Sequence, residues 1–241
     1  MLVSVVVPAF NEEKLLVRSL RAIKQSCKAF EDRGWAWEVV VCDNNSTDRT
    51  SEIAEGEGAK VVIEPVNQIS RARNKGASVA SGEWLIFVDA DSFPSKELFA
   101  ATAKRIESGQ VGGGGCLVNL DEEIATLKFA VLVWSALSII FRWAAGSFLF
   151  CRADLFQETG GFSTEIYASE EIDLSKKLKG VSKKRGLKFE IIREEKLVTS
   201  ARKVHLYGHR THLLFLLKAA LRPRATVMDR EKCVLWYDGR R

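Results

Sequence analysis

The stretch "LIFVDADSFPS", residues 85–95, sets two carboxylates, Asp89 and Asp91, on either side of the small Ala90 at the end of an apolar run. Acids so presented suit a hard divalent cation, Mg2+ or Mn2+, that keeps part of its water shell and shares the oxygens of a bound diphosphate. Alone, the pattern fits a strand-closing turn equally well, because Asp is common in turns. A second acidic cluster, Glu170, Glu171 and Asp173 in "SEEID", stands at a helix entry, where the helix dipole favours negative charge. Neighbouring carboxylates also raise one another's pKa, and one that titrates near neutrality is a competent general base. Such a base is sufficient for a hydroxyl to attack a sugar carbon opposite a diphosphate leaving group. The metal then stabilises the charge that gathers on that group.

The elements that must bring these clusters together are readable in the first ninety residues. "VSVVVP" (3–8), "WEVVVC" (37–42), "KVVI" (60–63) and "WLIFVD" (84–89) are short apolar runs that predict buried strands. Between them, Leu15, Leu16, Leu20, Ile23 and Cys27 recur at helical spacing. "NNSTDRTSEIAEGEGA" opens on capping residues and closes on glycines, and "SRARNKGASVAS" reads as a further helix. This alternation predicts parallel pairing through right-handed crossovers, with helices on both faces of the sheet. Ligands of such sheets sit beyond the carboxyl ends of the strands. There the chain places Pro8, Ala9, Phe10, Asn11 and Glu12, then Asp43, Asn44 and Asn45, then Asp89 and Asp91. Convergence of three polar clusters favours a site over a mere turn. Asp43 can accept from a ring N–H or a ribose hydroxyl, or cap the following helix. Arg71, Arg73, Asn74 and Lys75 lie near the start of the helix before the fourth strand, and of these Arg71 and Lys75 are the cations expected to face a diphosphate, the alternative being a solvated helix face.

The second half is less regular. A helix is expected over 97–108, and "GQVGGGGCLVNL" (109–120) reads as a closely packed or bulged strand, since it lacks the phosphate-loop pattern. An apolar helix at 129–143, a strand in "GSFLFCR" and a short helix in "ADLFQETGGF" follow. The helix entered through "SEEID" comes next, then "LKFEIIREEKLVTSAR" as a strand, a turn and a further extended piece. An amphipathic helix around "HLLFLLKAALR", halted by Pro223, ends the pattern. One domain is expected, with residues 1–95 binding nucleotide, 96–205 carrying acceptor and catalytic groups, and 206–241 forming a helical tail.

"VSVVVPAFNEE", "VVVCDNNSTDRT", "SRARNKGASVASGEWLIFVDADS", "GSFLFCRADLFQETGGF" and "YASEEIDLSKKL" resemble, in order, the successive blocks of family 2 glycosyltransferases of the GT-A fold. The resemblance implies a Rossmann-like α/β fold with a mostly parallel sheet. It also implies an inverting transferase that takes its sugar from a nucleotide-diphosphate donor. Pro8, Phe10, Glu12 and Asp43 would then line the nucleotide site, and Asp89 and Asp91 would hold the divalent ion. The family usually carries Glu-Asp where this chain has Glu170-Glu171, so Glu171 takes the place of the base, with its arm one methylene longer. Processive synthases of the family carry a Gln-x-x-Arg-Trp block; the nearest region here, "TSARKVHLYGHR", has none, which points to transfer of one sugar. In several relatives a downstream His completes the metal shell, a role for which His205 is the candidate. With His209 and His212 it also follows helical spacing, which packing or surface histidines explain without a metal.

Composition sets the remaining bounds. A 241-residue chain with 46% hydrophobic and 28% charged residues is ordinary for a soluble globular protein. Its five cysteines, odd in number and without CxxC spacing, suit reduced core thiols in a cytoplasmic protein. The chain opens on a strand-like run without a basic leader, and the apolar 129–141 stretch is short of the roughly 20 residues that span a bilayer. That stretch and the basic runs 176–188 and 202–224 fit either a peripheral membrane contact, with a lipid-linked acceptor, or a homodimer. The basic runs lack an aromatic stacking pattern, which argues against nucleic acid. G-x-G-x-x-G is absent after the first strand, as is a Gly-rich, Arg-containing nucleotidyltransferase loop. A sugar-nucleotide or lipid-head-group binding module without turnover is the non-enzymatic alternative.

Overall fold

The computed structural model describes residues 1–122, 125–202, 205–206 and 227–233, with the backbone alone at 125–130. Val-rich β1 (Leu2–Ala9) is flanked by β2 (Ala36–Asp43) and β4 (Trp84–Val88), both parallel to it, and β3 (Lys60–Ile63) runs parallel to β2. Val3, Val5 and Val7 of β1 enter one core cluster and Val6 enters the other. A strand buried on both faces needs apolar residues at consecutive positions, as this run supplies. On the first face α1 (Leu16–Glu31) seats Leu16, Leu20, Ile23, Cys27 and Phe30. It packs on α4 (Lys96–Glu107), where the Phe30 and Phe99 rings stack with centroids 5.3 Å apart. Helix α3 (Ile69–Val79) lies so close to β1 that a Cβ on Gly76 would sit 2.5 Å from Val6 Cγ1.

Beyond β4 the sheet becomes mixed. Antiparallel β7 (Phe148–Arg152) separates β4 from β6 (Val111–Leu120), and β8 (Lys188–Thr199) is parallel to β6. A two-residue strand that the sequence pattern does not announce, β5 (Ser92–Phe93), closes the order β3-β2-β1-β4-β7-β6-β8-β5. Of the seven pairings four are parallel. Because β5 follows β4 by three residues yet pairs with β8, the sheet curls until the end of β8 meets the loop after β4. Ser200 N–H donates to the Asp91 carbonyl at 2.9 Å.

The glycine run is a packing device, as expected. In β6, a Cβ on Gly114 would collide with the Glu190 carbonyl and the Phe150 ring, and one on Gly115 would lie 2.6 Å from the Ala144 methyl. Two expectations are corrected. The 188–199 segment is one strand whose register against β6 jumps between Ile192 and Lys196, so the expected turn is a bulge inside β8. Helix α2 (Thr50–Gly56) starts later than its capping residues suggested, because Asn44, Ser46 and Thr47 are engaged in loop contacts described below and Asp48 Oδ2 accepts from Glu13 N–H at 3.1 Å. The remaining helices are α5 (Ala125–Phe141), α6 (Ala153–Glu158) and α7 (Glu170–Lys184). No helix among the described residues is long and apolar enough to cross a membrane. All five cysteines are buried thiols outside any disulfide, with Cys42 pushed up to about 12 by burial. The amphipathic segment beyond Leu206, with His209, His212, Arg222, Pro223 and Arg224, lies outside the described residues.

Candidate active site

The three polar loops meet at the carboxyl ends of β1, β2 and β4. Pro8 and Ala9 pair with Cys42 and Asp43 in register and are buried, while Phe10 is half-buried just beyond. Asn11 (φ 53°) and Asn45 (φ 66°) both take the left-handed conformation that Asn tolerates better than most residues. The two loops are sewn together. Asn11 N–H donates to Ser46 Oγ at 2.9 Å, Thr47 N–H donates to Asn11 Oδ1 at 2.8 Å, and Glu12 N–H donates to Thr50 Oγ1 at 2.8 Å. Asp43 is nearly buried and accepts from Ser46 N–H at 2.9 Å and from the Ser51 hydroxyl. Asn44 turns away from the cleft: Nδ2 donates to the Glu64 and Val66 carbonyls and Oδ1 accepts from Gln68 N–H, which anchors the start of α3.

The centre of the site is the basic residue of α3 that the sequence pattern did not favour over Arg71 and Lys75. Arg73, 1% exposed, donates through Nη1 to Glu170 Oε1 at 2.5 Å and through Nη2 to Asp89 Oδ1 at 2.8 Å and the Gly146 carbonyl at 2.7 Å. It thereby joins the first acid after β4 to the acids of α7. Ser70, Arg73 and Gly76 recur at three-residue spacing on the buried side of α3. That stripe was the available signal. Arg71 and Lys75 are exposed on the same helix, and Arg71 Nε donates to Gln68 Oε1 at 3.2 Å. Helix α3 also aims α7. Asn74 exchanges hydrogen bonds with Phe162 N–H and carbonyl at 2.9 Å, and Gln68 Nε2 donates to the Thr164 and Ile166 carbonyls. Ser169 at φ 67° then turns the chain sharply into α7, a backbone conformation that a non-glycine residue holds only when its surroundings fix it.

Glu171 is half-buried, with its carboxyl beside Gly146: a Cβ built there would lie 3.4 Å from Glu171 Oε2 and from Arg73 Nη2. Burial, and then the negative charge of Glu170, push its pKa up to about 8, against the opposing pull of Arg73. Glu170 itself is occupied by Arg73, which separates the roles of the two adjacent acids. Asp173 is engaged one turn on with Lys177 at 2.8 Å, which accounts for it as a helix-surface ion pair.

A second arginine serves the second acid. Arg202 Nη2 holds both oxygens of the buried Glu12 at 2.8 and 2.7 Å and lies 3.9 Å from Asp91 Oδ2. Glu12 and Arg202 are 190 residues apart in sequence, and only the curl of the sheet unites them. His205 Nε2 lies 2.8 Å from Glu122 Oε2 in an exposed pair, a different partner from the Asp89–Asp91 metal role proposed for it. Among the described residues no group of three His, Cys, Asp or Glu side chains is placed to hold a metal ion. Asp89 (19% side-chain exposure) and Asp91 fit a hard cation that takes its other ligands from water and a bound phosphate.

Residues 4–123 match the model described as glycosyl transferase family 2. Validoxylamine A glucosyltransferase of Streptomyces hygroscopicus subsp. jinggangensis is 37% identical over 94 residues, 36% of this chain and 21% of that protein. The chain spans between about a fifth and about a third of the length of the first curated relatives it matches. Among solved structures, S. aureus TarS 1–349 in complex with UDP-GlcNAc superposes with a TM-score of 0.66 at 23% identity, over 84% of this chain and 59% of that one. A Pyrobaculum calidifontis mannosyltransferase in complex with GDP-Man and Mn2+ gives 0.65 at 20% identity, over 98% and 70%. By the match over residues 4–123 the chain belongs to the family 2 glycosyltransferases, and by the superpositions it has the GT-A fold.

Proposed function

We propose that this chain is an inverting, metal-dependent transferase that moves one sugar from a nucleotide-diphosphate donor to an acceptor hydroxyl. The observation that carries the reading is Glu171: a half-buried carboxyl held near neutrality, one residue from an acid that Arg73 ties to Asp89. Glu171 is the base that takes the acceptor proton. Glu170 is the weaker candidate because its carboxylate is neutralised by an ion pair, and Asp173 is kept only as part of the helix entry.

Asp43 receives the nucleoside, with Pro8, Ala9, Phe10, Asn11, Glu12 and Asn45 shaping the loops around it. Asp89 and Asp91, flanking Ala90, hold Mg2+ or Mn2+ jointly with the diphosphate, and Arg71 and Lys75 supply positive charge at the cleft rim. The metal, when bound, neutralises charge on the leaving diphosphate. The bound UDP-GlcNAc, and the GDP-Man with Mn2+, in two structural neighbours support a nucleotide sugar and a divalent ion here. Single-sugar transfer goes with "TSARKVHLYGHR" standing where processive members carry Gln-x-x-Arg-Trp.

The test is release of nucleoside diphosphate from UDP- and GDP-sugars with Mn2+, in wild type and in Glu171→Gln, with the anomeric configuration of the product read by NMR. Turnover lost in the variant while donor binding persists supports the reading. Donor binding without turnover in either protein identifies a binding module instead, and retained configuration contradicts the single displacement.

A further inference from the structure

Helix α5 is built the wrong way round for water. Leu132 and Ile140 are 66% and 70% exposed, with Ala136 exposed midway between them at four-residue spacing, and Val133 and Phe141 are exposed beside this stripe. The opposite side carries hydroxyls: Ser138 is fully buried and donates to the Trp143 carbonyl at 2.7 Å, and Ser135 donates to the Val131 carbonyl at 2.7 Å. A water-facing helix shows the reverse arrangement, and apolar groups exposed as one continuous face mark an interaction surface.

Positive charge gathers at the carboxyl end of this face. Lys179 Nζ donates to the Phe141 carbonyl at 2.6 Å and Lys176 Nζ lies 5.5 Å from the Trp143 ring centre. Beside them a cavity of about 290 Å³ opens, lined in part by Ile139, Arg142, Lys188 and Arg193. Its fourth cation, Arg105, is matched by Glu190 and Glu194, at 3.9 and 2.5 Å. The lining holds four cations against two acids, which leaves a surplus of positive charge next to the apolar face.

We propose that this face docks on an anionic phospholipid surface, with α5 lying in the plane of the interface and the cavity receiving a headgroup phosphate. The helix is 17 residues long, or about 25 Å at 1.5 Å per residue, so it lies along a membrane and not across it. Anionic headgroups match the cations that border the apolar stripe. A second copy brings the same positive surplus to the contact and nothing to neutralise it. The proposal stands on this surface alone and is independent of the transferase chemistry.

The full chain is sedimented with phosphatidylcholine vesicles with and without phosphatidylglycerol, at low and high salt. Binding is expected only to the anionic vesicles and is expected to weaken as salt rises. Arg142→Ala with Arg193→Ala is expected to lower partitioning about 25-fold, at about fivefold per basic side chain near an anionic surface. Leu132→Ser with Ile140→Ser is expected to lower it by about tenfold or more, circular dichroism confirming the fold. Failure of the wild type to pellet with anionic vesicles overturns the proposal. So does binding that neither variant alters, or a dimer in sedimentation velocity that Ile140→Ser dissolves while vesicles go unbound.

Discussion

Replacing Glu171 by Gln tests the site without any substrate. Burial and the neighbouring Glu170 charge lift this carboxyl from its ordinary range to about 8, so the folded chain binds the proton more tightly than the unfolded chain does. Stability contributed at low pH is therefore lost as pH climbs from about 4.5 through 8, where the carboxyl must ionise inside the fold. At about 1.36 kcal/mol per pH unit the ceiling on that loss is about 5 kcal/mol. Glu171 is only half-buried, and its coupling to Glu170 shares the cost, so about 1–3 kcal/mol is the expected size. Gln keeps the shape and never ionises. Urea unfolding should find Glu171→Gln more stable than wild type by that amount at about pH 9, and the two nearly equal at about pH 4. A variant equal to wild type at both pH values, or less stable at the higher one, would refute the argument that this acid is held in an unfavourable charged state.

Arg73→Met removes the single cation between two carboxylates and should cost about 3–5 kcal/mol in urea unfolding, because it leaves buried charge uncompensated. If Glu171 is the base, Glu171→Gln should lower kcat by about 10²–10⁴-fold while calorimetry finds donor affinity unchanged within a few-fold. Gly114→Ala should destabilise by about 2 kcal/mol or more, since its methyl would meet the Glu190 carbonyl in the neighbouring strand. Gly180→Ala, with open space around it inside α7, should instead stabilise by about 0.5–1 kcal/mol; thermal denaturation reads both.

The parallel half of the sheet was legible because its signal is local. Val5 to Val7, Val39 to Val41 and Leu85 to Val88 are apolar at consecutive positions, and only a strand covered on both faces needs that. The meeting of the 8–12, 43–45 and 89–91 loops follows from parallel pairing. The glycines of β6 announced close packing. What the pattern hid was long-range. Helix α3 offers three basic residues within five positions, and its charge alone favoured Arg71 and Lys75; the spacing of Ser70, Arg73 and Gly76 shows which one turns inward. Arg202 was beyond reach, because its pairing with Glu12 depends on the curl that lays β5 against β8, and a two-residue strand leaves no periodicity to read.

If Asp89 and Asp91 grip a cation together with a nucleotide's diphosphate, cation and nucleotide must bind cooperatively. Isothermal titration of UDP and GDP into the chain, with and without Mn2+, for wild type and Asp91→Asn, measures this cooperativity directly. Saturable binding of one nucleotide is expected, which Mn2+ tightens in the wild type and leaves unchanged in Asp91→Asn. Equal affinity with and without Mn2+ in the wild type, or no binding of either nucleotide, would contradict it.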